Sequence, residues 1–140
     1  MIKQGLGKRI VDVLLNFFNN GAVTAVVLYG SYAEDRDTQY SDIDLLIIID
    51  KELLSWREKR QTEVSLRRDA ASIGPLSPRV MTGKEFSSAF ENYDPLVLNI
   101  LSSGKILYDT GTFKKVRDQF EKVENRKIVR TPEGYWEIAL

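Results

Sequence analysis

The sequence predicts an α/β (α+β) fold, a small mixed sheet flanked by helices. Three observations predict it. Two apolar runs rich in β-branched residues read as strands: Ala22–Tyr29, bounded by Gly21 and Gly30, and Asp42–Asp50, whose centre is Leu45–Ile49. The second run has no polar break, which marks a strand buried on both faces and therefore central in a sheet covered by helices. The links differ in length as well. Gly30–Ser41 is short, with room for a turn of helix, whereas a helix over Lys51–Ala71 can cross back, so the strands should combine antiparallel and parallel neighbours.

Each element follows from local pattern. Leu6, Ile10, Val13, Leu14, Phe17 and Phe18 recur at helical spacing, so the first helix is expected from about Leu6 to Asn19, stopped by Asn-Asn-Gly at 19–21. Lys51–Ala71 mixes charges with good helix formers, Leu53, Leu54, Trp56, Val64 and Leu66 among them, and Gly74-Pro75 closes it. Leu76–Thr82 reads as the third strand. Lys84–Phe90 and Pro95–Ser103 read as short helices, Ile106–Asp109 as a small extended piece, and Thr112–Val123 as a helix with Phe113, Val116, Phe120 and Val123 on one face. The tail looks like a hairpin around Pro132-Glu133-Gly134. No repeat, low-complexity tract or linker interrupts the 140 residues. One domain is expected over 1–140, with its core at about 5–90 and a helical extension and hairpin-like tail over 91–140.

Composition narrows the chemistry. The 20 basic and 20 acidic residues balance, so no global field draws the chain to nucleic acid or to an anionic membrane, and a polyanion must be held locally. There is no cysteine and no histidine, which excludes disulfides, thiol and imidazole catalysis, and thiolate or imidazole metal sites. The remaining hard ligands are carboxylates, which suit Mg²⁺ in company with water and phosphate. The N-terminal MIKQGLGKRI leads into an amphipathic pattern without a signal h-region, and no apolar run is long enough to span a bilayer, so a cytoplasmic location is expected.

The most specific segment is Gly30–Leu45, which sets Gly30-Ser31 after one strand and Ser41-Asp42-Ile43-Asp44 at the head of the next. Residues two apart in a strand project to one face about 6.6 to 6.8 Å apart along the chain. Asp42 and Asp44 can therefore share a divalent cation, which removes the repulsion two neighbouring carboxylates would suffer. Gly30 lets backbone approach a phosphate, and Ser31, expected to open a helix turn, offers a hydroxyl and free N–H groups.

This spacing, G30-S31-x-A33-x-D35 followed by S41-D42-x-D44-L45, resembles the signature of the polymerase β-type nucleotidyltransferase superfamily, above all its minimal nucleotidyltransferases. Asp35 stands where those proteins usually carry glycine. The resemblance covers about the first 90 residues well and the remainder loosely. It implies the polymerase β-like fold, transfer of a nucleoside monophosphate from an NTP such as ATP to a hydroxyl acceptor, Asp42 and Asp44 as catalytic ligands of Mg²⁺ or Mn²⁺, and Gly30, Ser31 and Ser41 as nucleotide-binding residues. It also implies a HEPN-domain protein partner in a toxin–antitoxin type module. A third carboxylate is implied on a neighbouring strand. Aligning that strand by Thr82-x-x-Glu85 puts Arg79 in its place, with Ser77 the next candidate on that face, and the nearest acids, Asp69 and Glu85, fall on flanking helices. That gap supports an alternative, a nucleotide- or partner-binding module with little or no catalysis. A transferase acting on a cationic drug would need an acidic pocket, and the C-terminal half has no such concentration of acid.

Other residues admit a plain reading beside a functional one. Arg36 reads as a solvated loop arginine rather than a phosphate ligand. Tyr32 and Tyr40 could stack on a base, but tyrosines at a domain surface are ordinary. The cations Arg57, Lys59, Arg60, Arg67 and Arg68 alternate with acids as a salt-bridged exposed helix face does, with a triphosphate or RNA contact the minor reading. Trp136 with Tyr135 is a packing anchor for the tail or part of a homo-oligomer interface.

Overall fold

The structure is a computed structural model that describes residues 5–18, 21–39, 41–51 and 54–139. Asn19, Tyr40 and Leu53, which carried expectations above, lie outside the described residues. Helix α1 (Leu6–Phe17) leads to strands β1 (Val23–Tyr29) and β2 (Ile43–Ile49), then α2 (Trp56–Asp69), β3 (Leu76–Thr82), α3 (Gly83–Glu91), α4 (Pro95–Ser103), β4 (Lys105–Asp109), α5 (Thr112–Val123) and a terminal pair, β5 (Ile128–Arg130) and β6 (Trp136–Ile138).

The main sheet has the order β3-β2-β1-β4. The β1–β2 and β1–β4 pairs are antiparallel and β2–β3 is parallel, so the sheet is mixed as the link lengths require. β2 lies inside it, which is why Leu45–Ile49 are all buried. The strand alternation sends Val26, Leu28, Leu45 and Ile47 into one core with Leu6, Ile10 and Leu14 of α1 and Leu66 of α2. It sends Ala25, Val27, Leu46 and Ile48 into a second core with Phe86 of α3, Leu98 of α4, and Phe113 and Phe120 of α5. The result is three layers, helices on both sheet faces. No helix among the described residues is long and apolar enough to cross a membrane.

Two boundaries differ from expectation, one for a local reason and one for a long-range one. α2 begins at Trp56 because Ser55 and Glu58 form a capping box, the Ser55 hydroxyl accepting from the Glu58 N–H at 3.1 Å. Trp56 and Val64 face solvent, leaving Leu66 and Ala70 to seat the helix. Ile106–Asp109 extends to Lys105 and is an edge strand beside β1, a pairing between residues some 80 positions apart in the chain that no local pattern reports. The tail does form a hairpin.

Candidate active site

The candidate site is assembled where β1 ends and β2 begins. Gly30 terminates β1 with φ at 72°, a left-handed conformation that favours glycine. A second constraint acts at the same atom: a Cβ built on Gly30 would overlap Asp44 Oδ2 and stand 3.2 Å from Asp44 Cγ. The carboxylate of Asp44 therefore rests on the bare Cα of Gly30. From there the chain makes one helical turn, the Glu34 N–H donating to the Gly30 carbonyl at 3.2 Å, and then widens as the Arg36 N–H donates to the Ser31 carbonyl at 2.8 Å. The turn expected at Ser31 is present but does not continue into a helix. Asp35 adopts φ 54°, so an aspartate takes the conformation for which the motif's glycine is suited, and the turn survives the departure.

Return to the sheet is fixed by a reciprocal pair of bonds. The Thr38 N–H donates to Ser41 Oγ at 2.9 Å, and the Ser41 N–H donates to the Thr38 carbonyl at 3.1 Å. Ser41 thus closes the turn that delivers Asp42. Asp42 lies one residue ahead of β2 rather than within it, exposed, while Asp44 is the second residue of the strand and half-buried. Between them Ile43 points into the core and donates its N–H to the Pro75 carbonyl at 2.8 Å, which locks β2 onto the segment entering β3.

Strand register identifies the neighbours of Asp44. Tyr29 on β1 and Ser77 on β3 stand opposite it, so Tyr29, Asp44 and Ser77 form one row across a single face. Of the two residues weighed for the third acid, it is Ser77 that faces Asp44. Arg79 stands opposite Leu46, one same-face row further along. Its guanidinium nevertheless reaches back to hydrogen-bond the Tyr29 hydroxyl. Asp69 pairs with Arg68, and Glu85 is held by the Thr82 N–H and by Lys59, so neither supplies the missing group. No three acidic side chains converge on a common point among the described residues.

The electrostatics follow from this geometry. Burial pushes the Asp44 carboxyl above the usual carboxylate value, the charge of Asp42 pushes it the same way, and the Ser77 hydroxyl, hydrogen-bonded to it, pulls it back. Burial likewise raises the Tyr29 phenol, against the opposing pull of Arg79. Two hard oxygen ligands that repel one another at a half-open position fit a divalent cation such as Mg²⁺ or Mn²⁺, although they offer two protein carboxylates and not three.

The structure brings Gly30, Asp42 and Asp44 together, places Ser31 in the turn beside them, and gives Ser41 the work of closing the return. The bland readings elsewhere hold for three residues. Arg36 pairs with Glu34 at 2.9 Å, Tyr32 packs against the first core, and Trp136 donates to Asn99 Oδ1 at 2.8 Å while its ring meets Phe120 edge-on. Sequence reasoning missed Tyr29. The signal was available, since the residue before Gly30 ends a strand antiparallel to the one carrying Asp44 and so falls in its row.

Comparison with known proteins bears on the family and the fold. Residues 12–112 match the family model described as Polymerase beta, Nucleotidyltransferase. A Methanocaldococcus jannaschii protein, named as a candidate protein adenylyltransferase, is 30% identical, the match covering 82% of this chain and 80% of that protein. Among solved structures, a toxin–antitoxin complex with AMP-PNP superposes with a TM-score of 0.54 at 18% identity, covering 81% of this chain and 79% of the other. The complex of tri-AMPylated Shewanella oneidensis HEPN toxin with MNT antitoxin superposes with a TM-score of 0.53 at 14% identity, covering 86% and 85%. The structural likenesses establish the fold. With the sequence matches, they lead to one conclusion: the chain belongs to the polymerase β-type nucleotidyltransferase family.

Proposed function

We propose that this minimal nucleotidyltransferase transfers a nucleoside monophosphate, AMP first among them, from an NTP to a hydroxyl of a HEPN-domain partner protein. The observation that carries the reading is the Asp42–Asp44 pair seated against Gly30 at the mouth of the Gly-Ser turn. Backbone N–H groups of that turn and the Ser31 hydroxyl receive the β- and γ-phosphates, while the bare Cα of Gly30, expected to admit a phosphate, instead seats the Asp44 carboxylate beside them. Asp42 and Asp44 would hold a divalent cation, Mg²⁺ or Mn²⁺, whose chemistry when bound would be neutralisation of the phosphate charge. Ser41 acts by position, holding Asp42 at the strand entrance. Catalysis of this kind is positioning and electrostatics, which a small rigid scaffold can provide. The acceptor fits a protein because one relative is named as a candidate protein adenylyltransferase and one structural neighbour is a complex with an AMPylated HEPN toxin.

Ser77 in the row position beside Asp44 supports a second reading, a nucleotide-binding module that occupies its partner with little transfer. One experiment separates the two. The chain is incubated with Mg²⁺ and α-labelled ATP, alone and with a HEPN-domain protein encoded beside it. Label on the partner is the expected result. MgATP binding without label on any protein establishes the second reading, and absence of both binding and label overturns the site.

A further inference from the structure

A cleft of about 220 Å³ lies along the open edge of β3, outside the motif. Trp56, Lys59, Arg60 and Glu63 of α2 form its wall at helical spacing, and Arg79 and Val80 form its floor. Its frame is fixed. The Glu63 carboxylate accepts the edge N–H of Val80 at 2.8 Å, and Lys59 is paired with Glu85, tying α2 and α3 together although they lie on opposite faces of the sheet. Both acids are thus engaged by the scaffold. Arg60 and Arg79 enter no ion pair among the described residues, and the hydrogen bond of Arg79 to the Tyr29 hydroxyl leaves further donors open. Trp56, 77% exposed, stands at the rim.

Arg79 connects the cleft to the candidate active site, since it is held by the Tyr29 hydroxyl in the row of Asp44. The cleft therefore opens on the β3 side, where Ser77 stands, the side left to the acceptor if the Gly30–Ser31 turn takes the nucleotide as proposed. Its volume is below the range of pockets that take nucleotide-sized ligands, and it suits a single carboxylate against two guanidinium forks. We propose that this cleft seats an acidic side chain of the acceptor protein close to the hydroxyl that is modified, with Arg60 and Arg79 as the residues that select it. The inference rests on the acceptor being a protein, as argued above.

The test is fluorescence anisotropy of the full chain with four labelled probes: a glutamate-rich peptide with a central tyrosine, its glutamine and lysine analogues, and oligouridylate. The glutamate peptide is expected to bind about tenfold tighter than the glutamine peptide, with the preference lost in R60E and reversed toward a lysine peptide in R60E/R79E. Equal binding of the two peptides overturns the inference, as does an acidic preference that survives R60E/R79E. Tighter binding of oligouridylate overturns it in favour of RNA. Calorimetry with MgATP on the same preparation keeps the failures apart: a chain that binds MgATP but shows no acidic preference loses only this cleft, whereas one that fails to bind MgATP loses the proposed function.

Discussion

The two flanks of Asp44 differ in kind. Toward β1 the site is complete: Gly30 is bare where the carboxylate rests, the turn after it is kept despite Asp35, and Ser41 closes the return. Toward β3 it is altered. A hydroxyl faces Asp44, and the next residue on that face is a cation. Under the proposed function, the nucleotide side is governed by backbone geometry, whereas the acceptor side is made of side chains on an edge strand and can be rebuilt for a particular partner. On that reading donor and acceptor specificity are separable, and each of the following substitutions presses on one side of that division.

The largest effect is expected on the complete side. Replacing Asp42 and Asp44 together by Asn removes both charges with little change of volume, and nucleotide-dependent metal affinity should disappear, transfer to the partner falling by about 10³ or more. Calorimetry with MgATP measures the first and label incorporation the second; unchanged MgATP binding in the double variant would remove the metal site from the account. Gly30→Ala should come next. The added Cβ overlaps Asp44 Oδ2 at a positive φ, so the fold is expected to lose about 1–2 kcal/mol in denaturant unfolding and transfer about 10²-fold as the carboxylate is displaced.

On the altered side the expected change is a gain. Ser77→Asp puts a carboxylate in the row of Asp44 and should raise transfer by about 10- to 100-fold, at the low end of what general-base help supplies. Arg79→Asp should not, because position 79 lies one row away. Initial rates of labelled AMP incorporation compare the two variants. Equal gains at both positions would break the register argument, and no gain at Ser77 would mean that the acceptor's own surroundings already supply the base.

Much of this arrangement was legible in the sequence because it is local. Gly30, Asp42 and Asp44 lie within one short segment whose spacing states which elements they join, and the unbroken apolar run of β2 places that strand inside the sheet. The β3 side was less legible because it depends on register between strands separated by a helix, and period-2 patterning determines which residues share a face without determining which row they occupy. Arg79 and Ser77 both satisfy the face, and only pairing decides between them. Trp56 shows the same limit. An apolar residue at a helix start looks like core, yet the Ser55–Glu58 cap turns it toward solvent beside a cationic cleft.

The smallest effect concerns the strut that holds the two flanks together. Glu85 caps α3 by accepting the Thr82 N–H at 2.9 Å and pairs with Lys59 of α2 across the edge of β3. Burial works to raise its carboxyl, but the bonds from Lys59 and Thr82 outweigh burial and hold it below its ordinary value of 4.5. A carboxyl with a lowered folded-state pKa stabilises the fold fully above its unfolded value, and that contribution is lost as pH falls through the folded one. Glu85→Gln retains an oxygen for the cap and removes the charge, so the variant should be less stable by about 0.5–1 kcal/mol at neutral pH. The difference from the parent chain should hold down to pH 4.5 and close below it. Urea unfolding of both proteins across that range checks the sign: a gap that widens with acid would mean that burial outweighs the bonds from Lys59 and Thr82, and the strut would have to be reassigned to the protonated carboxyl's hydrogen bonding. With the strut weakened, the cleft beside Arg60 loses its fixed wall while Gly30 and Asp44 keep theirs, so acidic-peptide binding should weaken at neutral pH with MgATP binding held.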